Sequence, residues 1–192
     1  MPRIPSAEGL VRRYRTRNPF AIARELEIPV HFLDHPESDL PGLTCLALDR
    51  PSIFINTAYF DALQREDSNY TDAMMEDDIL QVGAHELGHA VLHRDELRGT
   101  WIKEYEIFNV RVPMEAEANT FAAGIRIDTE EMLDLFNSEM DLIQVASAMH
   151  VNINLLIYKM DSLRRSGFQF NQIPISTRNN FMGGIHGVGG WN

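Results

Sequence analysis

Two histidines four residues apart, with a glutamate directly after the first, stand out for their chemistry: the segment His85 to His89 reads HELGH. In a helix, residues four apart lie on one face about 6 Å apart along the axis, so both imidazoles can aim a ring nitrogen at one ion. Glu86 is rotated by about 100° from His85, within reach of a metal-bound water without displacing a histidine. Zinc lowers the pKa of such a water towards about 7. A carboxylate at that position takes the proton as the water attacks a peptide carbonyl, then passes it to the departing amine. The pattern predicts a zinc peptidase, with one Zn2+ per chain on His85 and His89 and with Glu86 as catalytic base.

The surrounding sequence must supply a helix and a third ligand. From about Met75 to His93, apolar residues point nearly all round a helical wheel, which predicts a helix at the centre of a domain. His85, Glu86 and His89 are polar groups set into it, and burying them costs free energy unless something pairs with them. A third histidine, His93, lies on the same face but about 12 Å along the axis from His85, too far to share an ion. It reads as a helix-end residue favoured by the helix dipole. Glu115 and Glu117 are the remaining candidates, about 200° apart on a helix that Pro113 is expected to open. Asn119, four residues after Glu115, could accept a hydrogen bond from the far ring nitrogen of a ligand histidine, as partners of zinc ligands commonly do. This favours Glu115 as ligand and leaves Glu117 as a solvated charge. Zinc peptide chemistry also creates an oxyanion, for which Tyr105 is the candidate donor.

Before these motifs, helices are expected at residues 7–16 and 19–26, the second capped by Asn18 with Pro19 in its first turn. Three strands follow at 28–33, 43–48 and 52–56, the last two joined as a hairpin through Asp49, Arg50 and Pro51. Residues 65–72 and 94–112 read as irregular. After the second motif, Asp128 and Glu131 form a capping signal for one helix. Helices at 140–149 and 153–165 then make a helix-turn-helix shape, and the glycine-rich end reads as a tail.

The formal net charge of −11, from 28 acidic and 17 basic residues, repels a phosphate backbone, so direct nucleic-acid binding is not expected. Lys159, Arg164 and Arg165 in the helix-turn-helix shape face Asp141 and Asp161, a poor phosphate footprint. Cys45, the single cysteine, reads as a small core residue. His31, His35, His150 and His186 lack ligand spacing. Neither a secretory signal nor a stretch long enough to span a membrane is read from the sequence, which predicts an intracellular protein.

HELGHAVLH followed by EAEANTFAA resembles the ImmA/IrrE family of metallo-endopeptidases. The likeness extends from RYRTRNPFAIARELEIPVHFLD through SIFIN to INLLIYKMDSLRRSGF, about residues 7 to 175. It implies that His85, His89 and Glu115 bind zinc and that Glu86 is catalytic. It also implies a cytoplasmic enzyme, often encoded with a phage or mobile element, that cleaves a helix-turn-helix transcriptional repressor.

Together these readings predict an α+β fold: a small antiparallel three-stranded sheet packed on helices around a central HExxH helix, zincin-like, with a helix-turn-helix-like C-terminal extension. Residues 1–127 form the expected metallopeptidase core, 128–175 the helical extension and 176–192 a flexible tail. The competing readings are a DNA-binding regulator or a protein-interaction module with a non-catalytic zinc site. A retained Glu86 speaks against a purely structural site, which a fourth ligand normally closes.

Overall fold

A computed structural model describes residues 5–99 and 107–170, with the backbone only at 98–99 and 107–112. Two short helices open it, α1 (Ala7–Tyr14) and α2 (Pro19–Glu25). The Ser6 hydroxyl accepts from the Gly9 amide and the Asn18 side chain from the amides of Phe20 and Ala21, so both ends are capped by side chains chosen for that purpose. Leu10, Ile22 and Ala23 enter the core.

Strands β1 (Val30–Leu33), β2 (Gly42–Ala47) and β3 (Arg50–Asn56) follow. Their order is β1-β3-β2, with β1 parallel to β3 and β2 antiparallel to it. The sheet is therefore mixed, which corrects the expectation of an all-antiparallel one. After β1 the chain crosses to the far edge before β2, and the hairpin then inserts β3 into the middle. Alternation along a strand records which face is buried, not which neighbour it pairs with. The crossing loop is held by Asn56, whose side-chain nitrogen lies 3.0 to 3.2 Å from the carbonyls of His35, Ser38 and Leu40, while its oxygen accepts from the His35 amide. The hairpin turns at Leu48 and Asp49, both with positive φ, one residue earlier than expected. Positive φ at both central residues is the geometry of a two-residue turn that matches strand twist.

Helix α3 (Thr57–Glu66) follows β3 directly, and its last two residues fall in the stretch 65–72 expected to be irregular. Helix α4 (Asp72–Leu92) starts three residues before its expected beginning, because the Thr71 hydroxyl accepts from the Met74 amide. Within 94–112, where an irregular stretch is expected, the described residues are helical. They contain α5 (Arg94–Gly99) and the beginning of α6 (Ile107–Arg126), so Pro113 sits inside a helix rather than at its start. Proline inside a helix removes one backbone donor and crowds the preceding turn, which is why it reads as an opening residue when packing is unknown.

Helices α7 (Thr129–Asn137), α8 (Leu142–Ala148) and α9 (Ile153–Arg165) complete the described chain. Asp128 caps α7 through the amides of Glu130 and Glu131, and Asp141 and Gln144 form a reciprocal capping box on α8. The same apolar cluster holds Leu10 of α1, Ile53 of β3, Leu87 of α4, Ile125 of α6, Met132 of α7, Val145 of α8 and Leu156 of α9. Arg17 ties the end of α6 to the next cap, donating to the carbonyls of Gly124 and Ile125 and pairing with Asp128. Gln81 of α4 accepts from the Asn152 amide at the start of α9. Among the described residues, no helix is long and apolar enough to cross a membrane.

Lys159 of α9 is 2% exposed and its ammonium lies 3.0 Å from the Glu8 carboxylate. Burial alone would raise the Glu8 carboxyl, but the hydrogen bond and charge of Lys159 outweigh it and hold the group below its ordinary value. Removing one partner leaves a buried charge uncompensated, whereas replacing both with apolar groups is often neutral. Glu8→Ala should therefore lower stability by about 1 to 3 kcal/mol, below the range for a fully buried pair because Glu8 is half in solvent. Glu8→Leu with Lys159→Met should recover most of the loss, both read from urea denaturation. Because the folded-state carboxyl is lowered, the pair's contribution is complete above the unfolded value of roughly 4.3 and is lost as pH falls through the folded value.

Candidate metal centre

The site is made where α4 packs on α6. Helix α4 is buried continuously from Val82 to Gly88 and again at Ala90. Its polar members His85 and Glu86 are 6% and 5% exposed, so the burial expected for them is present. Two glycines permit the close approach. A Cβ on Gly88 would stand 3.0 Å from the Cα and 3.1 Å from the carbonyl oxygen of Ala118 on α6, which are backbone atoms that cannot turn aside. A Cβ on Gly42 of β2 would lie 2.6 Å from the Val82 side chain and 3.0 Å from Glu86 Cγ. Helix and edge strand are thereby held against the HELGH segment from two sides.

The Nε2 atoms of His85 and His89 lie 3.0 Å apart. Glu115 reaches both, with Oε2 3.2 Å from His85 Nε2 and Oε1 3.5 Å from His89 Nε2. A zinc ion about 2.0 to 2.1 Å from each of three tetrahedral ligands sets those ligand atoms roughly 3.3 Å apart. The observed spacings bracket that value, so the donor set fits such an ion in type and in size. Ligand atoms of His85, His89 and Glu115 all fall within 4.8 Å of one another, and among the described residues this is the one group of three or more that could hold a metal.

The electrostatics agree with a site that holds positive charge. The His85 and His89 imidazoles beside it keep the Glu115 carboxyl well below the usual range. Burial works against a charged His85, yet the hydrogen bond to Glu115 and the negative charge of Glu86 outweigh it and raise its pKa. Glu86 is different: burial pushes its carboxyl up, opposed by the two histidines and by a hydrogen bond from Thr44. A buried carboxyl with a raised pKa is better matched to proton transfer near neutrality than an exposed one.

Thr44 was not foreseen. From β2 its hydroxyl lies 2.8 Å from Glu86 Oε2 and 2.9 Å from the Glu86 carbonyl oxygen, and its single hydrogen can serve one acceptor at a time. Nothing in the pattern of a strand announces which helix it will meet. The far nitrogen of His85, Nδ1, lies 2.9 Å from Asn119 Oδ1, the contact expected of Asn119. His93 caps the C-terminal end of α4 but is buried, with Nδ1 3.0 Å from His89 Nδ1 and Nε2 3.0 Å from Glu117 Oε2. Glu117, expected to be only solvated, is 64% exposed yet engaged with that imidazole. The signal for this is the i, i+4 series 85, 89, 93, which puts His93 on the face of His89 one turn further on. Tyr105 and the tail lie outside the described residues. Cys45 is half-buried on β2, and burial raises its thiol, the opposite of an activated nucleophile.

Compared with family models, residues 73–161 match the IrrE N-terminal-like domain, a peptidase family. The matched part of the chain is similar to the ImmA/IrrE family. The match runs from the start of α4 into α9 and contains both motifs, so the matched segment includes every group placed around Glu115 but not β2, which brings Thr44 to Glu86. It is a metallopeptidase family, and the His-His-Glu cluster is consistent with a metal ion. Comparison with curated proteins and with solved structures gave no match.

The contact at Gly88 makes a direct prediction. Gly88→Val must push α6 away from α4, at an overpacking cost of about 1 to 3 kcal/mol. Because His85 and His89 lie on one helix and Glu115 on the other, zinc affinity should fall together with thermal stability. Titration with a chromophoric zinc chelator and a melting curve measure the two effects.

Proposed function

We propose that the protein is a zinc-dependent endopeptidase in which His85, His89 and Glu115 bind the ion and Glu86 is the catalytic base. The observation that carries this reading is the convergence of three ligand atoms beside a buried carboxylate that is not one of them. Among the described residues the cluster stops at three, which suits a catalytic site with one position left for water better than a closed structural one. The ion would supply Lewis acidity and a water of lowered pKa.

The chain's own residues supply the rest. Glu86 holds and moves the proton, its carboxylate steered by the Thr44 hydroxyl. Asn119 fixes the ring of His85. Burial of His85, Glu86 and Thr44 keeps bulk water from their contacts and strengthens them.

The substrate we propose is a helix-turn-helix transcriptional repressor, cut at one or a few bonds in the cytoplasm. Its support is the family resemblance, together with a surface poorly suited to binding DNA itself. Lys159, one of the three basic residues in the region 140–166, is turned inward onto Glu8. We place Asn119 as a positioning residue and keep Tyr105 as the proposed oxyanion donor.

Elemental analysis should find about one zinc per chain in the wild type, loss of zinc in His89→Ala and retention in Glu86→Gln. Incubated with a helix-turn-helix repressor, the wild type should give discrete fragments by mass spectrometry. Glu86→Gln should be slower by about 10² to 10⁴, and Thr44→Val should keep its zinc while losing rate. A wild type that takes up no zinc would defeat the peptidase reading. A zinc-loaded wild type that leaves the repressor whole would defeat the choice of substrate.

A further inference from the structure

His93 carries a polar ring into the core, at 2% exposure, without reaching the ion site. Its two nitrogens are both engaged, one by His89 and the other by Glu117. We propose that His93 and Glu117 act as a positioning relay that holds His89 as its Nδ1–H tautomer and keeps the Nε2 lone pair turned to the metal. The inference rests on the zinc-site reading given above.

The direction of the relay follows from what each group can donate. A carboxylate oxygen only accepts, so in the 3.0 Å contact with Glu117 the hydrogen belongs to His93 Nε2. A neutral imidazole has one N–H, which leaves His93 Nδ1 as an acceptor. The hydrogen in the 3.0 Å contact between the two Nδ1 atoms must then come from His89. Neutral His89 has its remaining lone pair on Nε2, the atom that faces His85 and Glu115. Ring orientation is restrained as well, because His89 is wedged between His85 and His93 with centroids 4.7 and 5.1 Å away.

The two ligand histidines are thus set by different means. His85 meets an amide oxygen on α6 directly. His89, one turn further along α4, is served by an imidazole that passes the bond on to Glu117, whose carboxylate is largely in solvent. Helix α6 supplies both terminal acceptors and the third ligand, all within the five residues from Glu115 to Asn119.

Zinc affinity of the full chain, measured by competition with a chromophoric chelator, separates the relay from simple packing. His93→Phe keeps a ring of similar size and removes the acceptor; its dissociation constant should rise by about 10- to 100-fold. His93→Gln and Glu117→Gln keep an acceptor at the required place and should stay within about threefold of the wild type, against the larger loss expected when such a partner is removed. A His93→Phe affinity within about twofold of the wild type overturns the proposal, and so does a His93→Gln loss as large as that of His93→Phe.

A second measurement covers the case in which the variants fold poorly. Nitrogen-15 NMR of the metal-free wild type, at about pH 8 where ordinary imidazoles are neutral, should show the hydrogen of His89 on Nδ1 and that of His93 on Nε2. A His89 hydrogen on Nε2 overturns the relay. This readout needs no metal, so a wild type without zinc affinity would sink the peptidase reading while the relay was still decided by the tautomers.

Discussion

Everything at this site depends on how closely α4 can approach α6. Two imidazoles on one helix make at most half of a metal centre, and the missing carboxylate is on another helix, separated by more than twenty residues of chain. Gly88 makes the approach possible, since even one methyl group there would meet the backbone of Ala118. Small residues continue along α6 at Ala118, Ala122 and Ala123, all fully buried. At Gly88 and Ala118 the two helices come close enough for backbone to meet backbone, and rigid elements of that kind hold ligand geometry better than loops do.

Close packing alone would leave an expensive core, because His85, Glu86 and His93 are all buried there. Each such group costs free energy unless its hydrogen bonds are made. The protein meets the requirement with partners from three elements: Asn119 and Glu117 from α6, Thr44 from β2, and His93 from the end of α4 itself. The network serves stability and chemistry together. The bonds that satisfy the buried rings also determine which nitrogen is free, and the one that satisfies Glu86 orients the carboxylate.

The remaining elements act as braces on the two central helices. A Cβ on Gly83 would meet the Phe20 ring at 2.5 Å, so α2 is seated directly on α4, and one on Gly124 would meet Ala7 at 2.6 Å, so α1 is seated on α6. Arg126 near the end of α6 pairs with Asp77 near the start of α4. Lys159 brings α9 to α1 through Glu8, its ammonium buried and the carboxylate half in solvent. A displacement of either central helix would have to break contacts on both of its sides, which explains why short helices at the two ends of the described chain share a core with the site.

The pairing of His85 with His89 was legible in the sequence because a helix converts spacing into geometry. His85 and His89 had to share a face if the segment was helical, and its apolar surroundings required that it be both helical and buried. The caps at Asn18 and Asp128 were equally local, since each joins a side chain to an amide two or three residues on. What could not be read involved partners distant in sequence. The parallel pairing of β1 with β3, the meeting of Thr44 with Glu86, and the engagement of Glu117 by His93 each join segments whose own patterns are satisfied in several ways. Helix α6 passes through Pro113 for the same reason: local preference opposes it, and propensity is a weak prior beside packing. Sequence periodicity determined which residues could act together on one element, and tertiary packing decided which elements met, because side-chain spacing carries no record of a neighbour contributed by another part of the chain.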